Sequence, residues 1–269
     1  MNGGIKTLSV KQRILDATHG RVLGRPDWGL AQFLLLHYDE IDRLRTSDLA
    51  EICHISLSTV RRFCQSIGYD NFSDLRRAKL DNPENQYEIA VENWKNGLYQ
   101  PRRLYDESRG ALWEIGQKTN FDALGRLAGE MLAADATLIF ALRPYTFILQ
   151  EFQSQYASLG RQLFIFDSVA SAAPVIETAK SLCCVTLSLA GVLFPAIDAP
   201  LCKLDGFNAA VYCPHMLREA GGESCLVHYD ECFPIHARTQ EYNYLELYGK
   251  YAVMYFFDIL LGLLVERCA

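Results

Sequence analysis

Ser47 to Arg77 reads "SDLAEICHISLSTVRRFCQSIGYDNFSDLRR". Leu49, Ala50 and Ile52 recur at helical spacing and are expected to face inward on a first helix, Thr46 to Cys53, with Ala50 small enough for a close helix crossing. Ile55 plugs a short turn. Ser56 then stands where a helix N-cap belongs, its hydroxyl placed to accept a backbone N–H from the first turn of a second helix, Leu57 to Ser66. On that helix Val60, Phe63, Cys64 and Ile67 follow the 3.6-residue period, and Gly68 supplies the left-handed residue that ends a helix. The outward set is Leu57, Ser58, Arg61, Arg62 and Gln65, with Thr59 at the edge. This is the pattern of a helix-turn-helix, whose second helix lies in the major groove of DNA. Two adjacent arginines on one helix face are usually just solvated; on a recognition helix the same face would meet DNA. The expected DNA-facing set is Ser58, Thr59, Arg61, Arg62 and Gln65, one arginine suited to a guanine edge and the other to a phosphate.

Around this stretch the N-terminal third of the 269-residue chain is a succession of short helical patterns, at Lys6 to Thr18, Trp28 to His37 and Ser73 to Leu80 besides the pair above. The net charge of −6 argues against nucleic acid only if the chain is one body. Residues 1–82 hold 12 Lys+Arg and 10 Asp+Glu, a net of +2, which leaves −8 for the remainder. The sign divides as expected when only the first part meets phosphate. No apolar run approaches the ~20 residues of a membrane span, and the N-terminus lacks the pattern of a secretory signal. Nine cysteines without CxxC pairs, several inside apolar runs, fit a reducing compartment, so the expected location is cytoplasmic.

Asp81 to Asp106, "DNPENQYEIAVENWKNGLYQPRRLYD", is polar, carries two prolines and separates two patterns. The expected division is residues 1–82 as a DNA-binding domain, 83–106 as a linker and 107–269 as a second domain. In that second part, Phe121 to Ala133 reads as a helix. Five short apolar runs follow, at Ala136 to Leu142, Gln162 to Asp167, Leu182 to Ser188, Asn208 to Cys213 and Ser224 to Tyr229. Strands covered on both faces look like this, and helix-length segments such as Thr146 to Gly160 and Ser171 to Lys180 separate them. The order predicts a largely parallel α/β sheet. A final helix, Tyr242 to Arg267, is apolar nearly all round and is expected to be buried, in part against a second subunit.

The string around the arginines resembles the DNA-binding domain of the RpiR family of bacterial transcriptional regulators. Ser56, Thr59, Val60, Arg62, Phe63, Cys64, Gly68, Tyr69, Phe72 and Leu75 stand at the matching places. The resemblance implies a C-terminal sugar isomerase (SIS) domain, a flavodoxin-like three-layer α/β/α fold with a five-stranded parallel sheet. Lys203 with Gly206, and Asp258 with Leu260, fall where that domain has its own patterns. It also implies a double-stranded DNA operator, a phosphosugar or other small-molecule effector, and a homodimer or homotetramer. The effector is expected to alter the spacing of the helix-turn-helix units through the segment from Asp81 to Asp106, with no catalytic function and no cofactor.

The phosphate-binding parts of that resemblance are divergent. "ALRPYT", Ala141 to Thr146, has no glycine where a Gly-rich turn is expected, and "SLAGVL" keeps Ser188 and Gly191 but has Ala190 and Leu193 where two hydroxyls belong. The expected effector residues are Arg143, Thr146, Ser168, Ser188 and Gly191. Either the ligand is not an ordinary phosphosugar or the domain serves mainly dimerisation. Cys225, His228, Cys232 and His236 have spacings that could suit zinc, but a strand and Pro234 interrupt any shared helix face, and no metal site is expected. The rival readings are a sugar-phosphate isomerase-like enzyme sharing the SIS fold and a non-catalytic SIS scaffold.

Overall fold

The computed structural model describes residues 10–18, 26–81, 91, 94–142, 145–201, 203–235 and 242–269. The chain divides into two compact units, Met1–Glu92 and Asn93–Ala269.

The first unit contains α1 (Val10–Thr18), α2 (Pro26–Leu36), a 3₁₀ turn (Tyr38–Arg43), α3 (Thr46–Ile52), α4 (Leu57–Ser66) and α5 (Phe72–Asp81). Residues Lys6 to Ser9 of the expected first helix lie outside the described residues. Ile14, Leu30, Leu34, Ile41, Leu49, Val60, Phe63, Phe72 and Leu75 form one core. Three caps fix where its helices start. The Asp48 carboxylate accepts the Arg45 N–H at 2.8 Å, Ser56 Oγ accepts the Thr59 N–H at 3.1 Å, and Asn71 Oδ1 accepts from Ser73 and Asp74. One expected core position is corrected: Ile52 is 50% exposed. It is the last residue of α3, and the chain turns away before the next helix can cover it.

The second unit opens with α6 (Pro101–Lys118) and α7 (Phe121–Ala133). Pro101 to Asp106, read from the sequence as linker, are the first turns of α6, with Pro101 at the first helical position, where its missing N–H costs nothing. Then follow β1 (Ala136–Ala141), α8 (Tyr145–Ser158), β2 (Leu163–Phe166), α9 (Val169–Ile176), β3 (Leu182–Ser188), α10 (Leu193–Leu201), β4 (Gly206–Tyr212), α11 (Pro214–Glu219), a 3₁₀ turn (Glu223–His228), β5 (Glu231–Pro234) and α12 (Tyr242–Cys268). All strand pairs are parallel, in the order β2-β1-β3-β4-β5. Ile139, Cys183, Val185, Leu187, Ala209 and Val211 pack against α7, α8 and α12. Leu138, Phe140, Cys184 and Ala210 belong to a second core with residues of α9, α10 and α11.

One further expectation is corrected here. Ser224 to Tyr229 is not the fifth strand; it lies almost wholly in the 3₁₀ turn, with Cys225 and Tyr229 buried four residues apart and Val227 turned out to solvent. The strand follows after Asp230, at Glu231–Pro234, and Pro234 is tolerated because β5 is an edge. The apolar surface of α12 is largely covered within its own unit, where Val253, Phe256, Phe257, Leu260 and Leu264 pack with residues of α7 and α8. Met254, Asp258 and Val265 stay exposed.

Candidate nucleic-acid interface and effector crevice

The cap at Ser56 sets the geometry of α4. Its hydroxyl accepts the Thr59 amide and also lies 2.7 Å from Ser58 Oγ and 2.9 Å from Thr59 Oγ1. Val60, Phe63, Cys64 and Ile67 are buried, which locks the rotation of the helix about its axis. Leu57, Ser58, Arg61, Arg62 and Gln65 are therefore exposed together, and Thr59 is half-buried, as the period of the sequence requires. Arg62 Nη2 reaches Thr59 Oγ1 at 3.5 Å. Among the described residues Arg61 makes no ion pair or hydrogen bond.

The two ends of the motif are held differently. The turn before α4 passes through His54 with φ of 53°, the left-handed region, and its N–H donates to Glu51 O at 3.2 Å. After α4, Gly68 has φ of +88°, and the Arg13 guanidinium donates to Ile67 O at 3.1 Å while lying over the Tyr69 ring. Arg76 donates to Leu44 O at 3.0 Å, and Lys79 pairs with Asp42 at 2.7 Å. These cations hold the unit together, whereas Arg61 and Arg62 stand on the exposed face of α4. The contribution of Arg13 was not legible in the sequence, because it lies 54 positions from its partner.

In the second unit the helix after β1 packs on one face of the sheet and the helix after β3 on the other. A sheet of this order has its crevice between the ends of those two strands, where ligands of such folds bind. Thr146 lies half-buried at the start of α8, Ser168 follows β2, and Ser188 and Gly191 follow β3. Arg143 lies outside the described residues. Ser168 Oγ caps α9 by accepting the Ser171 N–H at 3.3 Å, and the Asp167 carboxylate accepts from both serines.

The start of the helix after β3 is engaged from within. Buried Ser188 Oγ accepts the Leu193 N–H at 3.3 Å, Gly191 N–H donates to Ser188 O at 3.0 Å, and Phe194 N–H donates to Gly191 O at 3.3 Å. The next residue, Pro195, has no N–H. The first three positions of α10 thus keep no free amide for an anion. Gly191 has φ of +76°, and a Cβ there would stand 2.7 Å from Leu217 Cα, so packing alone demands glycine. Leu193 is buried in the second core.

Of the residues whose spacing could have suited zinc, the structure describes Cys225, His228 and Cys232. His228 Nδ1 lies 2.7 Å from Asp198 Oδ1, Cys225 is buried, and His236 lies outside the described residues. Among the described residues no cluster of three or more His, Cys, Asp or Glu could hold a metal ion.

Residues 18–82 match the model of the helix-turn-helix domain of the rpiR family. They are an rpiR-family helix-turn-helix domain. Over nearly its whole length, the chain including this RpiR-type domain is similar in structure to the Vibrio vulnificus NanR protein, solved in complex with ManNAc-6P. Identity is 16%, coverage 96% of this chain and 92% of that one, and the TM-score 0.51. At that identity the likeness speaks for the fold, and the second unit has the SIS-like α/β fold. Two further structures resemble it more loosely. One is a hypothetical protein of Methanococcus jannaschii for which a 3-hexulose-6-phosphate isomerase function has been inferred (14% identity, 61% of this chain and 89% of that one, TM-score 0.48). The other is a putative sugar-phosphate isomerase of Listeria monocytogenes (15%, 71% and 91%, TM-score 0.46). No curated protein matches the chain. Among the described residues no helix is long and apolar enough to cross a membrane.

Proposed function

We propose that the chain is a cytoplasmic transcriptional regulator of the RpiR type, binding double-stranded operator DNA through α4 and carrying no catalytic activity. The observation that carries this reading is the outer face of α4. Ser58, Arg61, Arg62 and Gln65 stand exposed together on a helix whose cap and core fix its orientation, and Thr59 borders them. One such helix contacts few base pairs, so specificity requires a homodimer or homotetramer presenting two copies to a two-fold-related site.

The SIS-like unit serves oligomerisation and takes a small-molecule effector in the crevice beyond β1 and β3, with Thr146, Ser168, Ser188 and Gly191 as its expected lining; Arg143, expected with them from the sequence, lies outside the described residues. NanR holds a phosphosugar, and that class is one candidate here. The engaged amides of Leu193 and Phe194 and the missing one of Pro195 favour a ligand that does not rest a phosphate on the start of α10.

The test is a binding assay of the full chain on fragments of its own upstream region, at two salt concentrations, beside the Arg61→Ala/Arg62→Ala double variant. Specific binding lost in the variant supports the reading; only a salt-sensitive background in both refutes it.

A further inference from the structure

The first turn of α4 presents more than polar groups. Leu57 is its first residue, 58% exposed, and Arg61 and Gln65 follow it at intervals of four along the same face. A leucine left in water there adds little to the fold, since the α4 core is made by Val60, Phe63 and Cys64. The hydroxyls around it are already engaged: Ser58 Oγ lies 2.7 Å from Ser56 Oγ, and Thr59 Oγ1 lies 2.9 Å from it and within reach of Arg62. Leu57 and Arg61 are thus the side chains of the N-terminal half of α4 that project outward without being tied to the cap. Recognition helices contact base edges mainly through their N-terminal residues. The apolar feature of the major groove is the C5-methyl group of thymine, and a guanidinium fits the O6 and N7 acceptors of guanine.

We propose that Leu57 is a specificity-determining residue, packing on a thymine methyl next to the base pair read by Arg61. The inference rests on the DNA-binding reading above and adds a residue to it. Arg62, drawn toward Thr59, is left for the phosphate backbone.

The experiment selects bound duplexes from a random pool with the full chain and with Leu57→Ala. Thermal melts are run alongside; they should coincide, because the substituted side chain is exposed. The wild type should show thymine at one position in each half-site, and Leu57→Ala should lose that preference while keeping the rest of the profile. Replacing that dT by dU, which removes only the methyl group, should weaken the wild type by about fourfold per half-site and leave Leu57→Ala unchanged. An unaltered profile for Leu57→Ala, or an equal effect of dU on both proteins, overturns the inference and leaves the regulator reading intact. A wild type that enriches no sequence overturns the regulator reading and this inference with it.

Discussion

A Cβ on Gly68 would stand 2.6 Å from Nη1 of Arg13, the atom that donates to Ile67 O. The glycine and the arginine thus close the end of the recognition helix together: one supplies the left-handed backbone, the other satisfies a terminal carbonyl. Gly68→Ala combines a left-handed penalty of about 1–2 kcal/mol with displacement of Arg13. It should lower the melting temperature of the N-terminal unit and weaken DNA binding only in step with that loss, as a melt and a binding titration on the same sample would show.

Arg61 and Arg62 should separate in kind. Arg61→Ala is expected to cost about 1–3 kcal/mol of binding and relax specificity at one position, while Arg62→Ala weakens all sequences alike and lowers the salt slope by about 1. Binding isotherms over a salt series, on the selected site and on a scrambled duplex, distinguish the two. Identical behaviour of the variants would dissolve the division of labour.

His54 occupies the left-handed region with a side chain, a conformation glycine adopts freely. Its side chain is exposed. His54→Gly should therefore stabilise the unit, by up to about 1 kcal/mol after the added freedom of the unfolded chain is counted. Chemical denaturation gives the sign directly.

The loop after β3 yields a prediction about ligands. Calorimetry of the full chain against inorganic phosphate and a panel of hexose phosphates should show no tight, saturable binding, because the α10 amides are engaged by Ser188 and Gly191 or replaced by Pro195. A common hexose phosphate bound tightly would sink that account. Independently, Ser188→Ala should cost about 0.5–2 kcal/mol of stability, since it strips the Leu193 N–H of its acceptor.

Burial pushes the Cys64 thiol up to about 12, from an ordinary value of 9.0. Below pH 9 the thiol is protonated in both folded and unfolded chains, and it contributes nothing to pH dependence. Between pH 9 and about 12 the unfolded chain releases a proton that the folded chain keeps, so stability falls as pH rises. Denaturation at a series of alkaline pH values should show this fall, with a shallower slope in Cys64→Ala.

Much of the N-terminal unit was legible because its signals are local. Ser56 as cap, Val60, Phe63 and Cys64 as core and Gly68 as stop lie within one helix length of each other, and period and capping chemistry fix them without distant partners. The parallel sheet was legible for a related reason: strands covered on both faces are apolar runs whatever their neighbours. Ser224 to Tyr229 misled because a short apolar run looks the same in a strand and in a helical turn, and only packing of Cys225 and Tyr229 into the second core chose between them. Ile52 misled because helical period cannot say where coverage ends.

What the sequence by itself determined is the helix-turn-helix and the alternation of strands and helices, since both follow from the order of apolar and capping residues along the chain. Only the tertiary structure decided the strand order, the burial of α12 against its own unit, the bond from Arg13 to Ile67 and the engagement of Ser188 by Leu193. Each of these depends on which surfaces meet across the fold, and residue spacing along the chain carries no record of that.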